Sequence, residues 1–469
     1  MSSGPLHILQ VGAGFRPFRK GGLIAYSEDL MDALAARGHT VTYLFSGRFY
    51  PFMRRPRLKR WSRGPIAMLE IVNSPSHDHG RQPEIELSDP MIERMVERAV
   101  RAVAPDVVHV QELAGLPTST LDIVRATGVP IVMTLNDYYP LCPAFRLVAP
   151  SGRSCLDHSP GEACAAVMAE ELRPSRILYD ATVRYELDRR LPLRRFPRQR
   201  GRLIRGIVGT TKSGSPGRSP RASDIAFQRR RDVNVERLNR LDALVAVSSR
   251  VAQLYTDLGV DEARMRVSQM ALRHIEHLRS EVVRPSSPVV FATLTGGESH
   301  SKGAHLIVEV ARRLSVERPE RFRIVVCGRA NDAMVQAART VPGLELWGAF
   351  GPDELDDLLG EFDVGVMPSV WEEAYGLQGV EFMARGRPVI ANAIGGMVDF
   401  VRPGETGWLN RSCSAEELCT IMRGLIDNPA EIETLSKRIV AHREEIIMPL
   451  SQHVSSIEAL YREVMQATA

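Results

Sequence analysis

Only six cysteines occur in 469 residues. They are too few and too unevenly spaced for a disulfide framework, which fits a reducing compartment. Long apolar runs are missing too. None approaches the roughly 18 residues that cross a bilayer, and residues 1–12 lack the basic start and unbroken apolar stretch of a secretory signal. The expected location is the cytoplasm. With 44% apolar and 25% charged residues, neither compositional extreme is reached, which excludes disordered, collagen-like and fibrous classes. No repeat with a period of about 20 to 50 residues is present. At roughly 150 residues per domain, the length predicts two or three domains.

Net charge is small, +4 from 60 Lys and Arg against 56 Asp and Glu, but it is unevenly distributed. Residues 184–240 hold 17 basic and 5 acidic side chains. Within them, 210–223 (TTKSGSPGRSPRAS) is rich in turn formers without apolar period and reads as a loop. Its flanks scatter Leu187, Leu191, Leu193, Phe196, Leu203 and Ile204 among arginines, a pattern of basic amphipathic helices. Such an insertion suits an anionic membrane surface or an acidic substrate, or is a solvated basic surface. Sparse aromatics argue against nucleic acid.

Elsewhere, short β-rich runs alternate with helical patterns, twice over, which predicts α/β architecture with two parallel sheets. The first half offers strands at 6–11, 40–45, 107–110 and 131–135 and a helix at 24–37. Ser88, Asp89 and Pro90 cap and open a helix whose stripe includes Ile92, Val96, Ala99 and Val100. The second half offers strands at 289–294, 323–327, 344–347, 364–367 and 389–391, with helices at 305–314, 353–359, 380–384 and 415–425. The expected division is 1–275 and 285–430, with 431–469 as helices packing back across both. Ligands are expected in the cleft, at the carboxyl ends of strands.

The most informative stretch is 368–396, PSVWEEAYGLQGVEFMARGRPVIANAIGG. Glu373 and Glu381 are separated by seven residues, and Tyr375 and Gly376 follow the first acid closely. An acid at a strand end, a glycine turn and then a helix leave the first N–H groups of the helix converging on one spot, which suits a diphosphate. Glu381, about two turns on and facing the same side, is placed to accept hydrogen bonds from sugar hydroxyls. The plain alternative is a solvated helix acid and a packing glycine. Separately, Cys142, Cys155, His158 and Cys164 fall within 23 residues. Three thiols and an imidazole can complete a structural zinc site, although the spacing matches no standard ribbon and buried thiols are the alternative.

The stretch PSVWEEAYGLQGVEFMARGRPVIANAIGG, the preceding LELWGAFGPDELDDLL and the following PGETGWL together resemble the donor-binding half of glycosyltransferase family 4. The N-terminal GAGFRPFRKGGLIAYSEDLMDALAARGHTVTYL is similar to that family's opening. The resemblance implies a GT-B fold, two Rossmann-like doubly wound domains facing a central cleft. It implies a retaining enzyme that moves a hexose from a UDP- or GDP-sugar to a saccharide or lipid-linked acceptor, in bacterial surface polysaccharide or glycolipid biosynthesis. Glu373 then holds donor-sugar hydroxyls and Glu381 the ribose, while backbone N–H groups of Tyr375, Gly376 and Leu377 meet sugar or phosphate. Lys302 neutralises the leaving diphosphate, Gly21 and Gly22 approach it from the other domain, and His109 lies near the reacting sugar, the plain alternative for it being a buried, hydrogen-bonded histidine. Asn136 and Asp137 face the acceptor.

The diphosphate itself helps deprotonate the acceptor, so no dedicated base, metal or other cofactor is required. One family feature is absent: an arginine ahead of the lysine is replaced by Gly296 and Gly297, with His300, Arg329 or an arginine of the basic insertion as candidate substitutes. This motivates two rivals, a catalytically silent nucleotide-sugar-binding subunit and a GT-B nucleotide-sugar epimerase.

Overall fold

The computed structural model describes residues 4–16, 18–50, 53, 55–78, 82–149, 154–156, 162–170, 174–190, 224–294 and 297–468. The first half forms strands β1 (His7–Gly12), β2 (Thr40–Ser46), β3 (Arg57–Arg63), β4 (Ile66–Val72), β5 (Val107–Val110), β6 (Ile131–Leu135), β7 (Ala243–Ala246) and β8 (Met265–Val267). They make one sheet in the order β3-β4-β2-β1-β5-β6-β7-β8. The second half adds β9 (Val289–Thr293), β10 (Phe322–Cys327), β11 (Leu344–Gly348), β12 (Val364–Met367), β13 (Val389–Asn392) and β14 (Gly407–Asn410). Their order is β11-β10-β9-β12-β13-β14.

Pairing is parallel throughout except for the β3–β4 hairpin. Strands such as β6 and β13, buried along their whole length, are apolar without alternation because helices cover both faces. Strand β3 (RLKRWSR) breaks that rule. It sits at the sheet edge, where a row of cations discourages further pairing, and it lacks the apolar signature by which the other strands are read.

In both sheets the chain starts in the middle, builds outward on one side, and then crosses to the other side of the first strand. The reversals fall between β1 and β5 and between β9 and β12. At such switch points the loops at the carboxyl ends splay apart and open a crevice.

The helix Pro90–Val103 begins where its cap signal lies: Asp89 Oδ1 accepts from the N–H groups of Met91 (2.9 Å) and Ile92 (3.1 Å). The basic run is partly interior, which departs from its reading as a solvated insertion. In the helix Asp224–Leu238, Arg230 is fully buried, ion-paired with Glu86, and donates to the carbonyls of Tyr139 (2.5 Å) and Pro140 (3.1 Å). Arg237 binds Asp122 and Leu87 O. Residues 191–223, including the 210–223 loop, lie outside the described residues.

The last helix, Leu450–Thr468, returns to the first sheet. Its Tyr461 hydroxyl meets His109 Nδ1 at 2.7 Å, and His453 Nε2 meets the Tyr26 hydroxyl at 2.8 Å. Burial pushes the His109 imidazole down to about 3 and that of His453 to about 4, against about 6.5 in an unfolded chain. A folded value below the unfolded one means that this stability is complete above about pH 6.5 and is lost as pH falls through the folded values. Urea unfolding across pH should therefore show a plateau above neutrality and, below it, a decline of about 1.4 kcal/mol per pH unit for each histidine. Replacing His109 with Gln should make that decline shallower.

Candidate active site

The crevice between β9 and β12 gathers the charged residues singled out by the motif. The loop after β9 carries Lys302, whose Nζ forms an ion pair with Glu373 Oε1 from the loop after β12. Ser369 Oγ donates to the same oxygen at 2.8 Å, and the ammonium lies 4.9 Å from the centre of the Trp371 ring. Gly303 lets the two loops touch: its φ of 78° is left-handed, and a Cβ there would collide with the carbonyl oxygen of Pro368. An ammonium has three donors, so the pair with Glu373 leaves capacity for an anion.

Gly376, also left-handed at φ 86°, turns the chain into the helix Leu377–Ala384. Tyr375 points its ring into the core against Phe400 and is almost fully buried, so only its backbone is available to a ligand. Across the cleft, Gly21 (φ 128°) opens the helix Gly22–Ala36, and a Cβ on Gly22 would collide with Leu377 Cδ1. Two helix N-termini therefore meet here. Neither has a capping side chain or an acid in its first turn. Two uncompensated positive helix ends repel one another unless an anion lies between them.

Several contacts at this junction are invisible in the sequence. Arg250 chelates Glu372 through Nε (3.0 Å) and Nη2 (2.8 Å), Ser248 Oγ donates to Ala374 O (2.7 Å), and Ser249 N donates to Asp399 Oδ2 (2.6 Å). Together they clamp the β7 end of the first sheet to the Glu373 loop and to the turn Gly395–Asp399 after β13. Glu381 Oε1 meets His274 Nε2 at 2.8 Å. That histidine lies in the connection between the sheets, and its spacing from the motif gave no hint of the contact.

His109 departs from expectation. It is fully buried, with Nδ1 on Tyr461 and Nε2 on Thr134 (2.8 Å), so both ring nitrogens are engaged and neither faces the cleft. Asn136 Nδ2 donates to Gln111 O at 3.0 Å, whereas its Oδ1 is buried without a partner. Asp137 accepts from Tyr139 N (2.8 Å), and its charge helps push up the buried carboxyl of Glu112, an acid the sequence gave no reason to select.

At the arginine position Gly297 packs against Met334. His300 stacks on His305 with ring centres 3.9 Å apart, and Arg329 pairs with Glu298 at 3.2 Å. Cys142, Cys155 and Cys164 do line one small cavity, but with Leu147, Val148 and Val167 around them. Among the described residues no three ligating side chains gather as a metal site, which departs from the zinc reading, and His158 lies outside those residues. Among the described residues no helix is long and apolar enough to cross a membrane.

Comparison with known proteins agrees with this geometry. The profile described as Glycosyltransferase Family 4 matches residues 20–167, and the one described as Glycosyl transferases group 1 matches 289–428. The chain is 28% identical over 204 residues to a D-inositol 3-phosphate glycosyltransferase of Corynebacterium aurimucosum, covering 41% of this chain and 47% of that one. It is 28% identical over 197 residues to the 2-deoxystreptamine glucosyltransferase of Streptomyces kanamyceticus, covering 41% and 51%. These alignments span about half the length of the curated relatives.

Similar solved structures include Anabaena HepE in complex with UDP (TM-score 0.59, 13% identity, 98% of this chain and 100% of that one). Sucrose-phosphate synthase of Thermosynechococcus elongatus superposes with TM-score 0.61 at 15% identity, covering 98% and 100%. Two doubly wound sheets facing one cleft, and two glycosyltransferase profiles in sequence along them, place the chain in the family 4 glycosyltransferases of GT-B fold.

Proposed function

We propose that the chain transfers a hexose, with retention, from a nucleoside diphosphate sugar to a saccharide or lipid-linked acceptor, in bacterial surface polysaccharide or glycolipid assembly. The observation that carries this reading is the pair of uncapped helix N-termini that meet where Gly22 lies against Leu377, four residues after the acid, Glu373, that pairs with Lys302. A diphosphate between them satisfies the first-turn N–H groups of both and takes up the free donors of the ammonium. Glu373 then holds sugar hydroxyls, and Glu381, steadied by His274, accepts from the ribose. As the anomeric carbon–oxygen bond breaks, negative charge grows on the phosphate oxygen, where fixed donors are most effective. The acceptor hydroxyl approaches from the same face, on the side of Asn136 and Asp137.

The similarity to a structure holding UDP makes UDP-sugars the first to test. Thermal-shift screening of UDP- and GDP-sugars should find one that raises the melting temperature by mass action. Replacing Glu381 with Ala should weaken that ligand by about 1.5–3 kcal/mol, the usual worth of a hydrogen bond to a charged group. Calorimetry showing equal affinity would contradict the ribose role. We extend the proposal to peripheral association with anionic membrane through the basic stretch, where deleting 210–223 should reduce sedimentation with anionic vesicles and leave donor affinity intact.

A further inference from the structure

Lys302 is held on two sides, and one of them is an aromatic face that the sequence motif did not single out. Its ammonium pairs with Glu373 and lies 4.9 Å from the centre of the Trp371 ring, inside the roughly 6 Å at which a cation is drawn to the face of an indole. A tight turn sets this up. Glu373 N donates to Trp371 O at 2.8 Å, a three-residue turn that brings the acid and the ring round to the same ammonium. Glu372, at the middle of the turn, is the acid that Arg250 chelates from the β7 end of the first sheet. Val370 N donates to Ser301 O at 2.8 Å, which ties the turn to the lysine's own loop, and Asn392 Nδ2 donates to Pro368 O and Ser369 O, each at 3.0 Å. The ring is fixed before any ligand arrives.

Tryptophan occupies this place at a cost. Its Nε1 is buried and has no hydrogen-bond partner among the described residues, and a buried donor left unpaired is unfavourable. A phenylalanine or leucine would fill much of the space without an orphaned N–H. What the indole adds is the strongest ring for a cation. The neighbourhood shows why one is needed: Gly297 packs against Met334 where the family resemblance expects an arginine, His300 stacks on His305, and Arg329 pairs with Glu298. With those positions engaged elsewhere, more of a diphosphate's charge falls to Lys302.

We propose that Trp371 is the positioning residue that holds Lys302 for the donor diphosphate and so offsets the missing arginine. This rests on the transferase reading above. A lysine is a compact charge on a flexible four-carbon stem, and a donor stabilises developing charge best when it is already in place. The ring face carries one side of the ammonium and Glu373 takes another, which leaves its remaining donors open to phosphate oxygens. When Glu373 engages the sugar hydroxyls, the ring keeps the lysine where it was. Trp371 exchanges no atom or proton with substrate.

The test uses the full chain, with UDP, GDP, uridine and guanosine as probes in calorimetry. Trp371→Leu should weaken whichever diphosphate binds by about 3–30-fold, the equilibrium factor of a cation–π contact. Affinity for the matching nucleoside, which has no phosphate for Lys302 to meet, should stay the same. Trp371→Phe keeps an aromatic face and drops the orphaned N–H, so it should recover much of the loss, and its melting curve should show a folded chain. In a Lys302→Ala background, Trp371→Leu should cost less than about twofold, because a residue that acts through the lysine has nothing left to hold. An equal cost in both backgrounds, or an equal loss for the nucleoside, would overturn the positioning role alone and make Trp371 a packing residue. A wild type that bound neither UDP nor GDP would overturn the transferase reading, and the positioning role with it.

Discussion

Replacing Lys302 with Ala should reduce turnover of the nucleotide sugar by about 10²–10³-fold, the cost of removing one fixed donor from a site of developing charge. Stability should barely change. The lysine side chain is about a third exposed, and ion pairs that open to solvent are worth only about 0–1 kcal/mol. Glu373 keeps its bond from Ser369 Oγ, so the variant leaves no orphaned buried carboxylate. The two effects differ enough in size to separate the roles. Steady-state kinetics beside a melting curve distinguishes them, and a variant that melts early but turns over normally would make Lys302 a structural residue.

A substitution at Gly395 should act in the opposite order, through structure first. Its φ of 66° is left-handed, and an added Cβ would run into both the N and O atoms of Glu373. Neighbouring bonds offer little slack, since Gly396 N donates to Glu373 O at 2.7 Å and Gly395 N to Glu372 Oε2 at 3.1 Å. Left-handed strain costs of order 1–3 kcal/mol, and backbone displacement adds to it. Gly395→Ala should therefore lower the melting temperature and, by moving the Glu373 loop away from Lys302, abolish measurable donor binding. Donor binding that survived a clear drop in stability would show that the loop position does not set the site.

Much of the donor side was legible because each of its features is local. A glycine turn opening a helix, an acid at a strand end and a lysine before a glycine are all written within a few residues, and Lys302 pairs with Glu373 while Leu377 lies against Gly22. Strand-by-strand reading also placed β1, β2, β5 and β6. Long-range features were not legible. His109 looks like a strand-end ligand until the C-terminal helix is seen to cover it, and nothing near it in sequence announces Tyr461. His274 finds its partner 107 residues away. The arginines at 230 and 237 share composition with their solvated neighbours and differ only in what the fold brings to them. Strand β3 was missed for a related reason, since an edge strand need not be apolar.

The central claim is that both halves of the molecule grip one anion between their helix ends. The most direct test is a crystal structure of the chain with a bound nucleoside diphosphate sugar. The account predicts a diphosphate within hydrogen-bond distance of Lys302 Nζ, of backbone N–H groups at Gly376 or Leu377, and of those at Gly21 or Gly22. A nucleotide seated elsewhere, with the two helix N-termini facing solvent, would contradict it.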